Sequence, residues 1–127
     1  MTRNTNNIIL TRQELRIMKV IWEKESSTVR EVRQILSQEK PTAYTTVLTL
    51  MSILEQKGAL THHRSGRAYV YRPVLSKEQA TRNQIEDVIQ RFFDGKAEKL
   101  IESVLQNDMA DPVQLGGVRD LIESRVA

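Results

Sequence analysis

The chain contains no cysteine among its 127 residues. That absence removes disulfide scaffolds, thiolate metal sites and cysteine nucleophiles together. Proline and glycine are scarce, at three and five residues, which excludes collagen-like repeats and Pro/Gly-rich disorder. Aromatic residues make up 5%, with a single tryptophan. No apolar run approaches the roughly 20 residues that cross a bilayer. The first seven residues are polar and lack the apolar core of a secretion signal. The expectation is a cytoplasmic protein with no membrane segment. Its size fits one domain, or one small domain with an appendage.

The net charge of +3 is unevenly spread. Residues 1–75 hold twelve Lys/Arg against six acids, whereas residues 76–127 hold seven against ten. A basic segment followed by an acidic one suggests a polyanion-binding part and a part with another task. A solvated surface of uneven charge fits the same count.

Thr11-Arg12-Gln13-Glu14 is a capping box, in which Thr and Glu side chains satisfy each other's backbone amides. Leu15, Met18, Ile21 and Trp22 follow at helical spacing, predicting a first helix over residues 11–24. Ser26-Ser27 interrupts it. Thr28-Val29-Arg30-Glu31 is a second box, and Val29, Val32, Ile35 and Leu36 stripe a second helix. Pro41 ends that element by pushing Lys40 out of the α region, and Thr42 is placed to cap a third helix. There Val47, Leu50, Met51 and Leu54 form the apolar face, and Lys57-Gly58 the stop. Residues 60–63 and 68–72 read as two short strands around the turn Arg64-Ser65-Gly66-Arg67. Ser76-Lys77-Glu78-Gln79 opens a fourth helix running to about Asp94, where Gly95 breaks it. Ala97, Leu100, Ile101, Val104 and Leu105 give a fifth. Residues 107–112 read as a turn, and Leu115, Val118, Leu121 and Ile122 suggest a sixth helix.

Three helices followed by a hairpin is the order of a winged helix-turn-helix, whose third helix is placed to enter a major groove. The fold class is therefore mainly α with a small β-hairpin wing, followed by a helical region. The expected domains are a winged helix over residues 1–75 and a helical dimerisation region over residues 76–127. Ile85, Val88, Ile89, Phe92 and Phe93 form one apolar face of that region. Leu100, Ile101, Val104 and Leu105 form another, and Val118, Leu121 and Ile122 a third. Three short helices cannot all bury such faces on a closed domain, so a second copy is the economical cover.

The ordered set of segments resembles a known family. It comprises the first helix with Trp22, Thr28-Val29-Arg30-Glu31-Val32, Ala43-Tyr44-Thr45-Thr46-Val47, Leu54-Glu55-Gln56-Lys57-Gly58 and Gly66-Arg67-Ala68-Tyr69-Val70-Tyr71. Together these look like the penicillinase-repressor family, strongly to about Ser76 and more loosely beyond. The resemblance implies a homodimeric repressor on a palindromic operator overlapping the target promoter. Copper-responsive members carry a Cys-x-Cys signature, which this chain lacks. β-Lactamase-type repressors are inactivated by proteolysis in the dimerisation helices, at an Asn-Phe bond in the best-known members, which implies a regulatory protease as partner. No Asn-Phe dipeptide occurs here, and the corresponding place reads about Glu102-Ser103-Val104-Leu105.

Candidate DNA contacts follow from chemistry. Opposite the apolar face of the third helix lie Thr45 and Thr49, with Thr42 and Thr46 near the edge. Threonine is a poor helix former, and its hydroxyl and methyl suit bases and phosphates. Tyr44 borders this face, either as a phosphate contact or as a core aromatic. Arg64 and Arg67 belong to the wing tip, where guanidinium groups clamp phosphate or enter a minor groove. Arg12 and Arg30 stand just inside helix starts, as phosphate contacts or plain surface residues. Tyr69 and Tyr71 read as packing residues of the wing. His62 and His63 point to opposite faces of a strand and do not share one ion. No phosphate-cradling glycine loop or nucleophile–base arrangement is present. No metal, cofactor or enzymatic activity is therefore expected. The rival readings are a winged-helix protein-interaction module that binds no DNA, and a ligand-sensing winged-helix regulator.

Overall fold

The computed structural model describes residues 4–126. The first three residues of the polar start lie outside them. The element order is α1 (Arg12–Lys24), α2 (Val29–Ser37), α3 (Tyr44–Lys57), β1 (Leu60–Ser65), β2 (Ala68–Pro73), α4 (Lys77–Phe93), α5 (Ala97–Gln106) and α6 (Pro112–Val126). Among the described residues no helix is long and apolar enough to cross a membrane.

Both leading capping boxes form. Thr11 accepts from the Glu14 amide at 3.2 Å while Glu14 accepts from the Thr11 amide at 2.8 Å. Thr28 and Glu31 repeat this at 3.1 and 3.0 Å. Each such cap is worth about 1 kcal/mol. The Thr28 amide, with Lys24 beyond it, holds the Glu31 carboxyl below the ordinary value against the opposing effect of burial. The expected cap of α3 does not form. Its N-cap is Ala43, with no side-chain bond. Thr42 instead donates its hydroxyl to the Lys40 carbonyl at 2.9 Å. Its backbone is held by Ser37, whose hydroxyl accepts from the Thr42 amide at 3.3 Å, and by Arg33, which donates to its carbonyl at 3.1 Å. The turn of the helix-turn-helix is thus built by α2, not by the first residue after it.

The apolar stripes meet as the periodicity requires. Ile17, Met18 and Ile21 of α1, Val32 of α2, and Val47, Met51 and Leu54 of α3 are fully buried, with Leu60 and Leu75 beside them. Gly58 takes the left-handed conformation (φ 91°) that ends α3. The hairpin is tighter than expected. Ser65 pairs with Ala68, so the connection is only Gly66-Arg67, with Gly66 at φ 63°. Arg64 therefore lies within β1, opposite Tyr69. Ser27 and Tyr71 exchange backbone bonds at 3.0 and 2.8 Å, fastening the α1–α2 connection to the wing.

Contacts divide the chain into a unit that ends at Ile85 and another that begins at Glu86. The first unit runs ten residues past the boundary drawn at Leu75, because the start of α4 packs into it. Ala80 lies against the core. Asn83 is buried and donates to the Thr5 and Ile8 carbonyls at 2.8 and 2.9 Å. In the second unit, α6 starts earlier than the apolar pattern implies. Asp111 accepts from the Gln114 amide at 2.8 Å, and Gln114 accepts from the Asp111 amide at 3.0 Å. Pro112, read as part of a turn, occupies the first helical position, where its missing N–H costs nothing.

Candidate nucleic-acid interface

The threonine face of α3 forms one wall of an open groove of about 540 Å3. Thr42, Thr45, Thr46 and Thr49 all line it, and Gln13 and Arg16 of α1 stand across from them. Lys40 and Pro41 close the end at the helix-turn-helix turn. The core residues Val47, Met51 and Leu54 fix this orientation, since about 100° of turn per residue puts Thr45 and Thr49 opposite Val47. The groove offers hydroxyls at its wall and two cations at its margin. Hydroxyls and threonine methyls suit base edges, and cations suit the phosphates that flank them.

The cations that border the groove are Arg16 and Lys40, and neither was among the sequence candidates. Arg16 is steadied by Gln13, to which it donates at 3.2 Å. Lys40 precedes the proline of the helix-turn-helix turn, and Arg16 lies one helical turn after Arg12. Those two positions were the signal available. Arg12 and Arg30 do not line this groove. Arg12 faces a different cleft with Trp22 and Lys77, and Arg30 is exposed on α2.

On the other side of α3, Tyr44 is 49% exposed, so it is not a core aromatic. Glu55 of α3 meets His62 of β1 at 2.7 Å. The His62 ring lies 4.9 Å from Tyr69, edge-on, and 5.2 Å from Tyr71. The wing is thereby tied to α3 by a carboxylate–imidazole contact and an aromatic cluster. Tyr71 is buried, and burial, with smaller contributions from Glu55, Tyr44 and Tyr69, pushes its phenol above the ordinary value. Tyr69 packs within the wing, against the His62 ring, but not in the core. It is 51% exposed, with the Arg64 guanidinium 5.9 Å from its ring centre. Arg64 also donates to the Gly66 carbonyl at 3.3 Å. Arg67 is exposed at the tip itself. Among the described residues, no three His, Asp or Glu side chains converge as metal ligands.

The residues proposed for dimerisation divide between the two units. Ile85 is the last residue of the first unit and is exposed. Val88, Ile89, Phe93, Leu100, Val104 and Val118 are half-buried. Phe92, Ile101, Leu105, Leu121 and Ile122 are exposed. Neither α5 nor α6 buries a single residue.

Known proteins share this sequence pattern and this fold. A family described as penicillinase repressor matches residues 10–124. The penicillinase repressor of Bacillus licheniformis is 30% identical over 110 residues, which is 87% of this chain and 86% of that protein. The solution structure of the DNA-binding domain of the repressor BlaI superposes with a TM-score of 0.53 at 34% identity, covering 61% of this chain and 93% of that one. The Bacillus licheniformis BlaI monomer, solved in complex with the blaP half-operator, gives 0.51 at 36% identity over 57% of this chain and 89% of that one. With the sequence match spanning both units and the winged helix shared with that DNA-binding domain, the chain belongs to the penicillinase repressor family and is a DNA-binding transcriptional repressor.

Proposed function

We propose that the chain acts in the cytoplasm as a homodimer on a palindromic operator, blocking polymerase by occupying the promoter. The observation that carries this reading is the state of α5 and α6. Ile101, Leu105, Leu121 and Ile122 are exposed large apolar residues on helices that bury nothing of their own, and Phe92 at the end of α4 is exposed as well. Burying one such side chain is worth about 1.5–3 kcal/mol, so several together hold two copies. The BlaI relative solved as a monomer on a half-operator supports one copy per half-site. Thr45, Thr46 and Thr49 read bases in each half, while Arg16, Lys40, Arg64 and Arg67 contact phosphates.

Relief of repression follows from the same arrangement. Cutting the chain within α5 separates the DNA-reading unit from the surfaces that join the copies. Each half-site then loses the high effective concentration supplied by the other. A regulatory protease is the partner this route calls for, and Glu102-Ser103-Val104-Leu105 is the segment it would cut in place of an Asn-Phe bond. Sedimentation of the intact and α5-cleaved chains, with titrations on one and two half-sites, tests the proposal. A dimer that favours the two-site DNA and loses that preference on cleavage is expected. An intact chain that is monomeric at micromolar concentration, or that binds one and two half-sites equally, would sink it.

A further inference from the structure

A second cleft, of about 380 Å3, lies between α1 and the first turns of α4. It is separate from the threonine groove and shares no lining residue with it. Leu10, Leu15, Trp22 and Ile85 supply its apolar lining. Arg12, Lys19 and Lys77 also line it, and no Asp or Glu does. All three cations are exposed, and among the described residues none has an acidic partner. An apolar lining with uncompensated cations is complementary to one kind of ligand, an organic anion with an apolar body. Its volume is at the small end of ligand pockets, which suits a small organic anion.

We propose that this cleft binds a small monocarboxylate, whose hydrocarbon or aromatic part lies on Leu15, Trp22 and Ile85 and whose carboxylate is held by Lys19 and Lys77. Trp22 fixes one side of the site, since its indole N–H donates to the Leu75 carbonyl at 2.8 Å. As the only tryptophan in the chain, it also reports occupancy directly.

The test is a fluorescence titration of the full chain with 4-phenylbutyrate, its neutral amide, and acetate. The carboxylate should change Trp22 emission saturably. The amide, which keeps the body and loses the charge, should bind at least about tenfold more weakly, as should acetate. The double variant Lys19→Gln/Lys77→Gln, at two exposed positions, should keep its circular dichroism spectrum and lose about tenfold in affinity. Methyl resonances of Leu10, Leu15 and Ile85 should shift with the same midpoint. Equal binding of acid and amide would overturn the proposal, as would no saturation below about 10 mM or methyl shifts confined to other residues. Emission that follows protein concentration and ignores the probe would also overturn it, because it would make the occupant a second copy of the chain.

Discussion

The Glu14 carboxylate and the Lys57 ammonium meet at 2.7 Å, joining the start of α1 to the end of α3. The side chain of Glu14 is 3% exposed and that of Lys57 35%, so the pair is anchored at its acidic end. The same carboxylate accepts from the Thr11 amide, and Lys57 also reaches the Ile9 carbonyl at 3.4 Å. Cap, ion pair and N-terminal segment therefore form one unit at the end of α3.

That arrangement gives the winged helix an acid limb. Burial works to raise the Glu14 pKa, but the Lys57 ammonium and the Thr11 bonds outweigh it and the net shift is downward. A carboxyl whose pKa is lower folded than unfolded stabilises fully above the unfolded value. That contribution is lost as pH falls through the folded value. Unfolding free energy should therefore decline on acidification below about pH 4.3. Glu14→Gln should flatten that decline and cost about 1–2 kcal/mol at neutral pH. Urea melts of both proteins from pH 7 to pH 3 check this; parallel pH profiles would disprove it.

Arg16 and Lys40 should set part of the salt dependence of DNA binding. If a dimer neutralises about 6–10 phosphates, affinity should fall about 10³–10⁵-fold between 50 and 200 mM salt. Arg16→Ala and Lys40→Ala should each lower the salt slope by about one per half-site and weaken operator and random DNA alike. Arg12→Ala should leave the slope unchanged, since Arg12 lies in the other cleft. Fluorescence anisotropy over a salt series distinguishes these outcomes.

The threonine wall should carry discrimination rather than bulk affinity. Thr46→Ala and Thr49→Ala remove a hydroxyl and a methyl from exposed positions that do not enter the core. Each should cost about 1–3 kcal/mol on operator DNA and little on random DNA. Equal losses on both DNAs would show that α3 positions the protein without reading bases.

What the sequence made legible is what depends on near neighbours. The boxes at Thr11 and Thr28 are closed within four residues, and the stripes of α1 to α3 repeat within one or two turns. Features set by distant partners were hidden. Thr42 looks like a cap until Ser37 and Arg33 are seen holding its backbone. Asn83 interrupts an apolar pattern as any surface polar residue does, yet it is buried because it satisfies two carbonyls of the N-terminal segment. Arg16 looks no different from Arg12 in a list of bases. The packing of α1 on α3 decides which of them borders the threonine groove. The start of α6 was readable in Asp111-Pro112-Val113-Gln114, but the apolar spacing drew attention to Leu115.

The division at Ile85 predicts where the chain can be cut without unfolding its DNA-binding part. A fragment ending at Leu75 removes Ala80 from the core edge and takes the Asn83 donor from the part-buried bond to Thr5 and the buried bond to the Ile8 carbonyl. An unmet buried polar group costs about 1–3 kcal/mol, a large share of the stability of a domain this small. A fragment ending at Ile85 keeps both. It should melt cooperatively and at a higher temperature than the shorter one. Because it lacks α5 and α6, it should sediment as a monomer and bind a single half-site with the threonine wall intact. Calorimetry of the two fragments and sedimentation beside the full chain decide the matter. Equal melting temperatures would remove the role given to Asn83. A dimeric fragment would move the joining surface from α5 and α6 into the winged helix itself.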